Sequence, residues 1–172
     1  RFPSLRFILT SYEYTSVLHR RIMERVFGVP VINLYGSSET GHLLIETDAG
    51  TSVPSTQTAT LELVDGDTRG VGQFLVTTHT NPYLPLLRYA IGDYAEQTSG
   101  GYIVHGRIRD ALRRTDGSVA TTRQVDALFA DLGDVAHYQL RQQADGRLEL
   151  FLMPVQAGDE LTASAADTLS CR

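Results

Sequence analysis

The 172-residue sequence has a single cysteine, Cys171, which excludes an internal disulfide and a metal site built from several thiolates. No apolar run approaches the roughly 18 residues that a membrane-spanning helix needs. No charged-then-apolar signal segment opens the chain. The 15 basic and 20 acidic residues form no blocks, which argues against nucleic acid or an anionic membrane as the main partner. These absences predict a cytoplasmic protein with no membrane span and no nucleic-acid partner.

The composition is nevertheless that of a folded chain. Hydrophobic residues make up 42% of the sequence, and the length allows one to two domains with a substantial core. The histidines are widely scattered and, together with Cys171, show no metal-ligand spacing, so we expect no structural zinc.

One polar heptad is the most informative segment, and it follows the apolar residues 29–34. Its sequence is Tyr35-Gly36-Ser37-Ser38-Glu39-Thr40-Gly41. The pattern predicts a tight loop that leaves a buried strand, at the kind of strand end where open α/β sheets bind ligands. Hydroxyls and loop amides suit phosphate oxygens, and a lone carboxylate suits Mg²⁺. The heptad therefore favours a nucleotide with its metal, although a plain structural turn would use the same residue types.

Two later segments change the balance between these interpretations. They are residues 87–94, Leu-Arg-Tyr-Ala-Ile-Gly-Asp-Tyr, and residues 106–110, Gly-Arg-Ile-Arg-Asp. With the heptad, and in this order, they resemble the adenylate-forming superfamily of acyl-CoA synthetases, luciferases and peptide-synthetase adenylation domains. The phenylacetate-CoA ligase group is the nearest in character.

The resemblance implies roles for the heptad. The family's Tyr-Gly-x-Thr-Glu loop matches Tyr35, Gly36, Ser37, Ser38 and Glu39, with a serine hydroxyl where threonine is usual. In the family the tyrosine packs on adenine, the hydroxyl contacts phosphate and the glutamate holds Mg²⁺. Glu39 is thus the expected metal ligand and one of two expected catalytic residues.

The two later segments imply a ribose site and a hinge. Asp93 matches the family's ribose-binding aspartate, while Ala90 and Ile91 replace the usual arginine and threonine before it. Arg107 matches an arginine that reaches the ribose or phosphate and is the second expected catalytic residue. Arg109 would be the pivot of the hinge. The alternative is that Arg107 and Arg109 belong, with the following arginines, to a solvated basic strand face.

We predict a mixed α/β fold in two unequal parts. Residues 1–108 would be the C-terminal part of the large AMP-binding domain, and residues 109–172 the first half of the small C-terminal domain. A helix is predicted over residues 15–27, ended by Gly28, because apolar residues recur there at helical spacing. Short alternating runs predict further strands at residues 42–46, 58–64, 73–78, 86–89 and 102–105. The resemblance implies that antiparallel strands pack beside a partly parallel sheet.

Beyond Asp110 the pattern predicts strand, strand, helix, strand and strand. Asp116-Gly117 and Asp145-Gly146 mark the two hairpin turns, and Thr121 or Thr122 is the expected helix cap. A further helical pattern starts at Asp159. The apolar spacing in the middle of this part predicts that Val125, Leu128, Phe129 and Leu132 share one buried helix face.

The resemblance implies an AMP-forming acid–thiol ligase. It would join a small-molecule carboxylate, with aryl acids among the candidates, to AMP from Mg²⁺·ATP and then to coenzyme A. The family's phosphate loop and catalytic lysine have no counterpart here, and no lysine occurs in the sequence. We therefore expect a fragment that is inactive alone. The alternatives are a non-catalytic nucleotide-binding homologue, and an adenylating enzyme that passes the acyl group to a protein thiol or an amine.

Overall fold

The computed structural model describes residues 2–47, 50–132 and 135–155. It has the mixed α/β fold that the sequence predicts, with strands in the majority. The helices are α1 (Val17–Phe27) and α2 (Thr122–Ala127). The strands are β1 (Ile8–Ser11), β2 (Val31–Ser37), β3 (Gly41–Glu46), β4 (Ser52–Pro54), β5 (Ala59–Val64), β6 (Val71–Thr78), β7 (Tyr89–Thr98), β8 (Gly101–Arg107), β9 (Leu112–Arg113), β10 (Val119–Ala120), β11 (Val135–Gln142) and β12 (Leu148–Pro154).

The chain begins with a β1–α1–β2 unit in which the two strands pair in parallel. Ser16 caps the helix by accepting a hydrogen bond of 3.2 Å from the His19 N–H. Gly28 ends it with φ 69°, a left-handed conformation that glycine adopts without a Cβ clash. The helix predicted over residues 15–27 and its end at Gly28 are confirmed, with the first turn starting at Val17.

A single eight-stranded sheet follows the order β1-β2-β3-β4-β8-β7-β6-β5. Its described pairs are antiparallel apart from β1 with β2. The family resemblance implies antiparallel strands packed beside the partly parallel sheet. Instead, β4 joins the two sets edge to edge through the pair Ser52 and Tyr102. A strand of three residues is too short to give an alternation signal, so this joint could not be predicted.

The main core lies on one face of this sheet. Its buried side chains include Leu43, Leu44, Ala59, Phe74, Val76, Ile91 and Ala95. Strand β7 contributes every second residue to the buried face, which places Asp93 between Ile91 and Ala95 in the same row. The fold therefore carries a carboxylate into a row of apolar side chains.

Residues from 109 onward, called here the C-terminal part, form the predicted series of β9, β10, α2, β11 and β12. Thr121 caps α2 in a capping box with Gln124. Leu128, predicted to share a face with Val125, Phe129 and Leu132, is 37% exposed; it lies at the C-cap of α2, where the helix has already ended. The helical pattern from Asp159 lies outside the described residues.

The C-terminal part packs against the start of the chain. Leu18 of α1 lies in one apolar cluster with Val125, Phe129 and Val135. A 3-10 turn, Ile108–Asp110, links β8 to this part. The domain boundary predicted at residue 109 falls in that turn and stays a prediction.

Candidate functional site

A cleft of about 590 Å³ lies between the sheet, the segment that leads into α1, and α2. Four of the predicted site residues line it, namely Tyr35, Gly36, Asp93 and Arg107. In the part of the chain that the structure describes, Ser37, Ser38 and Glu39 do not line the cleft. The predicted adenine and ribose contacts, Tyr35 and Asp93, therefore lie in the cleft. The predicted phosphate and metal ligands, Ser38 and Glu39, lie outside it.

Tyr35, Asp93 and Arg107 form a connected group in this cleft. The Tyr35 hydroxyl donates a hydrogen bond of 2.6 Å to Asp93 Oδ2, although the two residues are 58 positions apart in the sequence. Arg107 Nε lies 3.4 Å from Asp93 Oδ1, and Arg107 Nη1 donates to the Ile91 carbonyl at 3.3 Å. The group presents a phenol, a carboxylate and a guanidinium to one small volume.

Strand pairing brings the carboxylate and the guanidinium together. Asp93 of β7 and Arg107 of β8 are directly paired in the antiparallel register. The pairing shifts between Tyr94 and Ala95, so a bulge follows Asp93. The pairing of β7 with β6 also shifts, between Gln73 and Leu75, and Gly92, with φ 87°, lies in the stretch of β7 opposite this shift.

The electrostatics of Asp93 are unusual for a carboxylate. Its exposure is 4%, and this burial raises the pKa of the carboxyl group above its ordinary value. The hydrogen bond from Tyr35 and the charge of Arg107 act in the opposite direction and only partly offset the burial. Burial and the neighbouring carboxylate also raise the pKa of Tyr35, so its phenol stays protonated as a donor.

Tyr35 lies in strand β2, which corrects the loop predicted from Tyr35 to Gly41. The strand continues to Ser37, and the turn itself covers residues 38–40. One face of the Tyr35 ring packs on Phe74, with ring centroids 5.8 Å apart. The hydroxyl end reaches the cleft, so the ring is held in place by the core.

Gly36 is required by a close approach of two strands. A Cβ at this position would lie 2.0 Å from the carbonyl oxygen of Gly41, so no larger residue fits without a backbone shift. The register of β2 and β3 slips at this point, between Tyr35 and Gly36. Packing thus explains Gly36, and its expected place in the nucleotide-binding loop stays a prediction.

The turn itself is built from hydroxyl contacts. Ser37 is buried, and its Oγ lies 3.1 Å from Thr40 Oγ1, which also accepts a hydrogen bond from the Ser37 N–H at 3.2 Å. Ser38 and Glu39 are exposed at the tip. Hydrogen bonding with the Ser37 side chain and the backbone lowers the pKa of Glu39, so the carboxylate is ionised near neutral pH.

A Mg²⁺ ion with phosphate ligands is compatible with this turn. Mg²⁺ in nucleotide sites is held by one or two carboxylates, with substrate phosphates and waters completing the shell. Glu39 offers one solvated, ionised carboxylate, and Ser38 offers an exposed hydroxyl beside it. Within residues 2–47, 50–132 and 135–155, no three histidine, cysteine, aspartate or glutamate side chains gather into an all-protein metal site.

The basic residues after β8 differ from one another. Arg107 is 41% exposed and is engaged in the cleft, whereas the Arg109 side chain is 83% exposed and lies 3.6 Å from Asp110. Arg113 and Arg114 are also exposed. The interpretation as a solvated face suits Arg113 and Arg114, whereas Arg107 and Arg109 both line the cleft.

Several polar residues of the cleft belong to none of the three motifs. Glu46 accepts hydrogen bonds from Arg20 Nη2 at 2.6 Å and from the Asn33 N–H at 2.9 Å, and all three residues line the cleft. Asp126 and Tyr14 line it as well. An aspartate directly after the buried Val125 on an otherwise apolar helix face was the available signal for Asp126.

Comparison with known proteins identifies the fold. The chain is similar to the anthranilate CoA ligase AuaEII in complex with anthranoyl-AMP, with 19% identity and a TM-score of 0.74 over 99% of this chain and 39% of that one. Coronafacic acid ligase from Pectobacterium brasiliense gives 15% identity and a TM-score of 0.73 over 100% and 39%. The A domain of carboxylic acid reductase from Segniliparus rugosus, in complex with AMP, has 15% identity and a TM-score of 0.67 over 95% of this chain and 30% of that one.

These likenesses show that the chain has the fold of the corresponding part of adenylate-forming ligases, as the motifs predict. The chain spans about two fifths of the length of the first of these ligases. No protein-family model and no curated protein sequence matches it. In the part of the chain that the structure describes, no helix has the length and apolarity needed to cross a bilayer.

Proposed function

We propose that this chain is the ribose-binding and hinge part of an ATP-dependent, carboxylate-activating ligase. The single observation that carries the proposal is the group formed by Tyr35, Asp93 and Arg107 in a cleft of the adenylate-forming fold. Its members come from three separate motifs, and Tyr35 is 58 positions away from Asp93 in the sequence. Burial of a carboxylate costs folding free energy, so packing alone does not explain a buried aspartate at this position.

Asp93 is the proposed ribose anchor. A carboxylate has about four acceptor positions, and Tyr35 makes one close hydrogen bond to Oδ2. The remaining positions can accept hydrogen bonds from both ribose hydroxyls. The Tyr35 ring would lie beside adenine, held by its contact with Phe74.

The first half-reaction is the attack of a substrate carboxylate on the α-phosphorus of ATP. An O–P bond forms, the bond to pyrophosphate breaks, and the product is an acyl-adenylate. Because a free carboxylate is already a nucleophile, this step needs positioning and charge stabilisation more than a general base. Arg107 would stabilise negative charge at the ribose and phosphate. Glu39, with the hydroxyls of the turn, would hold the Mg²⁺ that neutralises the phosphates.

The second half-reaction is proposed as transfer of the acyl group to coenzyme A, with AMP as the leaving group. Among the similar structures is a 2-hydroxyisobutyryl-CoA ligase in complex with its adenylate and CoA, with a TM-score of 0.57. An A-PCP didomain of carboxylic acid reductase is another, with a TM-score of 0.67. An aryl carboxylate, as in the phenylacetate-CoA ligase group, is our proposal for the substrate class, and the cytoplasm is our proposal for the compartment.

Nucleotide binding is tested first, on the 172-residue chain. We expect weak binding of AMP, with a Kd of about 1 mM, because a few contacts in an open cleft must offset the immobilisation of the ligand. AMP should bind more tightly than 2′,3′-dideoxy-AMP in an NMR titration. The Asp93→Ala variant should lose this preference, whereas the exposed control Asp131→Ala should keep it. Equal affinity of the wild-type chain for both nucleotides would contradict the ribose role.

Turnover is tested separately with ATP, Mg²⁺ and a panel of aryl and acyl carboxylates, with and without coenzyme A. The chain alone should release no AMP. The complete product of its gene should catalyse carboxylate-dependent ATP–pyrophosphate exchange and release AMP fully only with coenzyme A. Exchange without a response to coenzyme A would favour a protein thiol or amine as acceptor, and nucleotide binding without exchange would favour a non-catalytic homologue.

A further inference from the structure

Asp126 is a buried carboxylate at which three segments of the chain meet. Its exposure is 1%. It accepts hydrogen bonds from the Val17 N–H at 2.7 Å, the Tyr138 hydroxyl at 3.0 Å and the Tyr14 hydroxyl at 3.2 Å. No ion pair to Asp126 is found in the described part of the chain, so its charge is met by neutral donors.

The two oxygens of Asp126 serve different parts of the molecule. Oδ2 accepts from Tyr14 and Val17, which belong to the entry into α1. Oδ1 accepts from Tyr138 of β11, within the C-terminal part. Val17 is the first residue of α1, so Asp126 also satisfies a backbone N–H that the helix cannot pair internally. One side chain thus links the C-terminal part to the beginning of the chain.

The segment that Asp126 holds is a wall of the cleft. Tyr12, Glu13, Tyr14 and Thr15 all line it, opposite the Asp93 group. Tyr12 has φ 69°, a conformation that a residue with a Cβ adopts only where its surroundings enforce it. The contacts of Tyr14 and Val17 with Asp126 follow this strained residue by two and five positions in the chain. They are therefore well placed to fix the shape of the wall.

Apolar packing across the same boundary cannot do this alone. Leu18 contacts Val125 and Phe129, but hydrophobic contact is non-directional and tolerates sliding of one surface on another. Hydrogen bonds to a buried carboxylate have fixed lengths and directions. Asp126 thus adds directional contacts to the apolar cluster, at a boundary where His19 Nε2 and His137 Nδ1 also lie 3.2 Å apart.

We propose that Asp126 is a positioning residue that clamps the C-terminal part to residues 14–17 and so sets the opening of the nucleotide cleft. The inference rests on the proposed function for the identity of the ligand, whereas the clamp itself concerns the protein alone. Release of the clamp frees the C-terminal part to turn at residues 108–110. An intact clamp keeps Arg109 and Arg123 at the mouth of the cleft.

The clamp is tested by a distance measurement between spin labels at exposed positions of the two parts. The labels are attached to cysteines introduced as Glu24→Cys in α1 and Ala144→Cys in the β11–β12 turn, with Cys171→Ser. We expect a narrow distance distribution for this background without ligand. Asp126→Asn should add a second, longer population, because the amide keeps one acceptor oxygen where the carboxylate has two and carries no charge to strengthen these hydrogen bonds. Tyr14→Phe should broaden the distribution, whereas the matched variant Tyr138→Phe, which loses a bond inside the C-terminal part, should leave it narrow.

Equal effects of Tyr14→Phe and Tyr138→Phe, or an unchanged distribution in Asp126→Asn, would overturn the clamp and leave Asp126 as a core contact. Should Asp126→Asn fail to fold, the pair of tyrosine variants decides the question. When AMP is titrated against the same variants, opening of the cleft should weaken AMP binding by about fivefold or more. A clamp that opens with no change in AMP affinity would overturn its role in the cleft. Absence of AMP binding in the wild-type chain would instead overturn the proposed function, and the distances would still test the clamp.

Discussion

Replacement of Asp93 by asparagine should separate the needs of the ligand from the needs of the fold. The carboxylate is 4% exposed, and burial raises its pKa, so the folded protein favours the protonated form more than the unfolded chain does. A raised carboxyl pKa gives a stability contribution that is present at low pH and lost as pH rises through the folded pKa. Near neutral pH the ionised Asp93 therefore costs stability. Asp93→Asn keeps an acceptor for Tyr35 and removes this cost.

Nucleotide affinity should change in the opposite direction. The ribose contacts of Asp93 are charge-assisted hydrogen bonds, and their loss should cost about 2–4 kcal/mol of binding or transition-state free energy. This amounts to roughly a thirtyfold to several-hundredfold weaker interaction. Arg107, whose side chain is 41% exposed, can turn toward water when its partner loses charge.

The assay is a pair of measurements on the wild-type chain, Asp93→Asn and the exposed control Asp131→Asn. Calorimetry at pH 7 should give a Tm for Asp93→Asn equal to or above that of the wild type, and the difference should shrink as the pH is lowered. AMP titration should show the loss of affinity in Asp93→Asn alone. A clearly lower Tm at pH 7, with AMP affinity intact, would refute the reasoning and make Asp93 a structural residue.

Three further changes test other parts of the site. Glu39→Gln in the complete gene product should lower ATP–pyrophosphate exchange at least severalfold, with partial recovery at raised Mg²⁺; a lower Tm that ignores Mg²⁺ would indicate a packing role. Gly36→Ala should destabilise the chain by about 2 kcal/mol or more, because its Cβ would meet the Gly41 carbonyl oxygen at 2.0 Å, whereas the control Gly66→Ala would bring its Cβ only to within 4.0 Å of the Val71 carbonyl oxygen; urea unfolding measures both. Burial lowers the pKa of His105, so the free energy of unfolding should fall as the pH drops below about 6.5. Denaturation curves of His105→Gln at several pH values should show a weaker dependence of this free energy on pH.

The local elements could be predicted from the sequence because their signals are local. Helix α1 has an apolar stripe, a cap at Ser16 and a stop at Gly28, and each acts within a few residues. The hairpins at Asp116-Gly117 and Asp145-Gly146 depend on turn residues in the same way. The order of elements after Asp110 followed directly from these signals.

The extent of two strands depends on partners elsewhere and was therefore misjudged. Strand β2 continues through Ser37 because Tyr35 pairs with Leu44, and composition alone suggested a loop. A strand was predicted over residues 86–89, whereas β7 starts at Tyr89 and continues to Thr98. Its alternation is obscured because the buried row includes the polar Asp93.

The individual residues of the candidate site could be predicted from motifs, but the contacts between them could not. Tyr35, Asp93 and Arg107 could each be named from a resemblance, whereas their contact depends on the long-range order of strands in the sheet. Asp126 belonged to no motif. Its importance appears only when Tyr14, Val17 and Tyr138 are seen to share its two oxygens.

The two buried aspartates show how the same side chain can serve different purposes. Asp126 accepts three hydrogen bonds within 3.2 Å, so about three of its four acceptor positions are filled by the protein itself. Asp93 has one such bond, to Tyr35, and a looser approach of Arg107 at 3.4 Å. A carboxylate that the fold has satisfied is suited to holding two parts together. One that is buried with acceptor positions still free, facing a cleft, is suited to a ligand that brings its own donors.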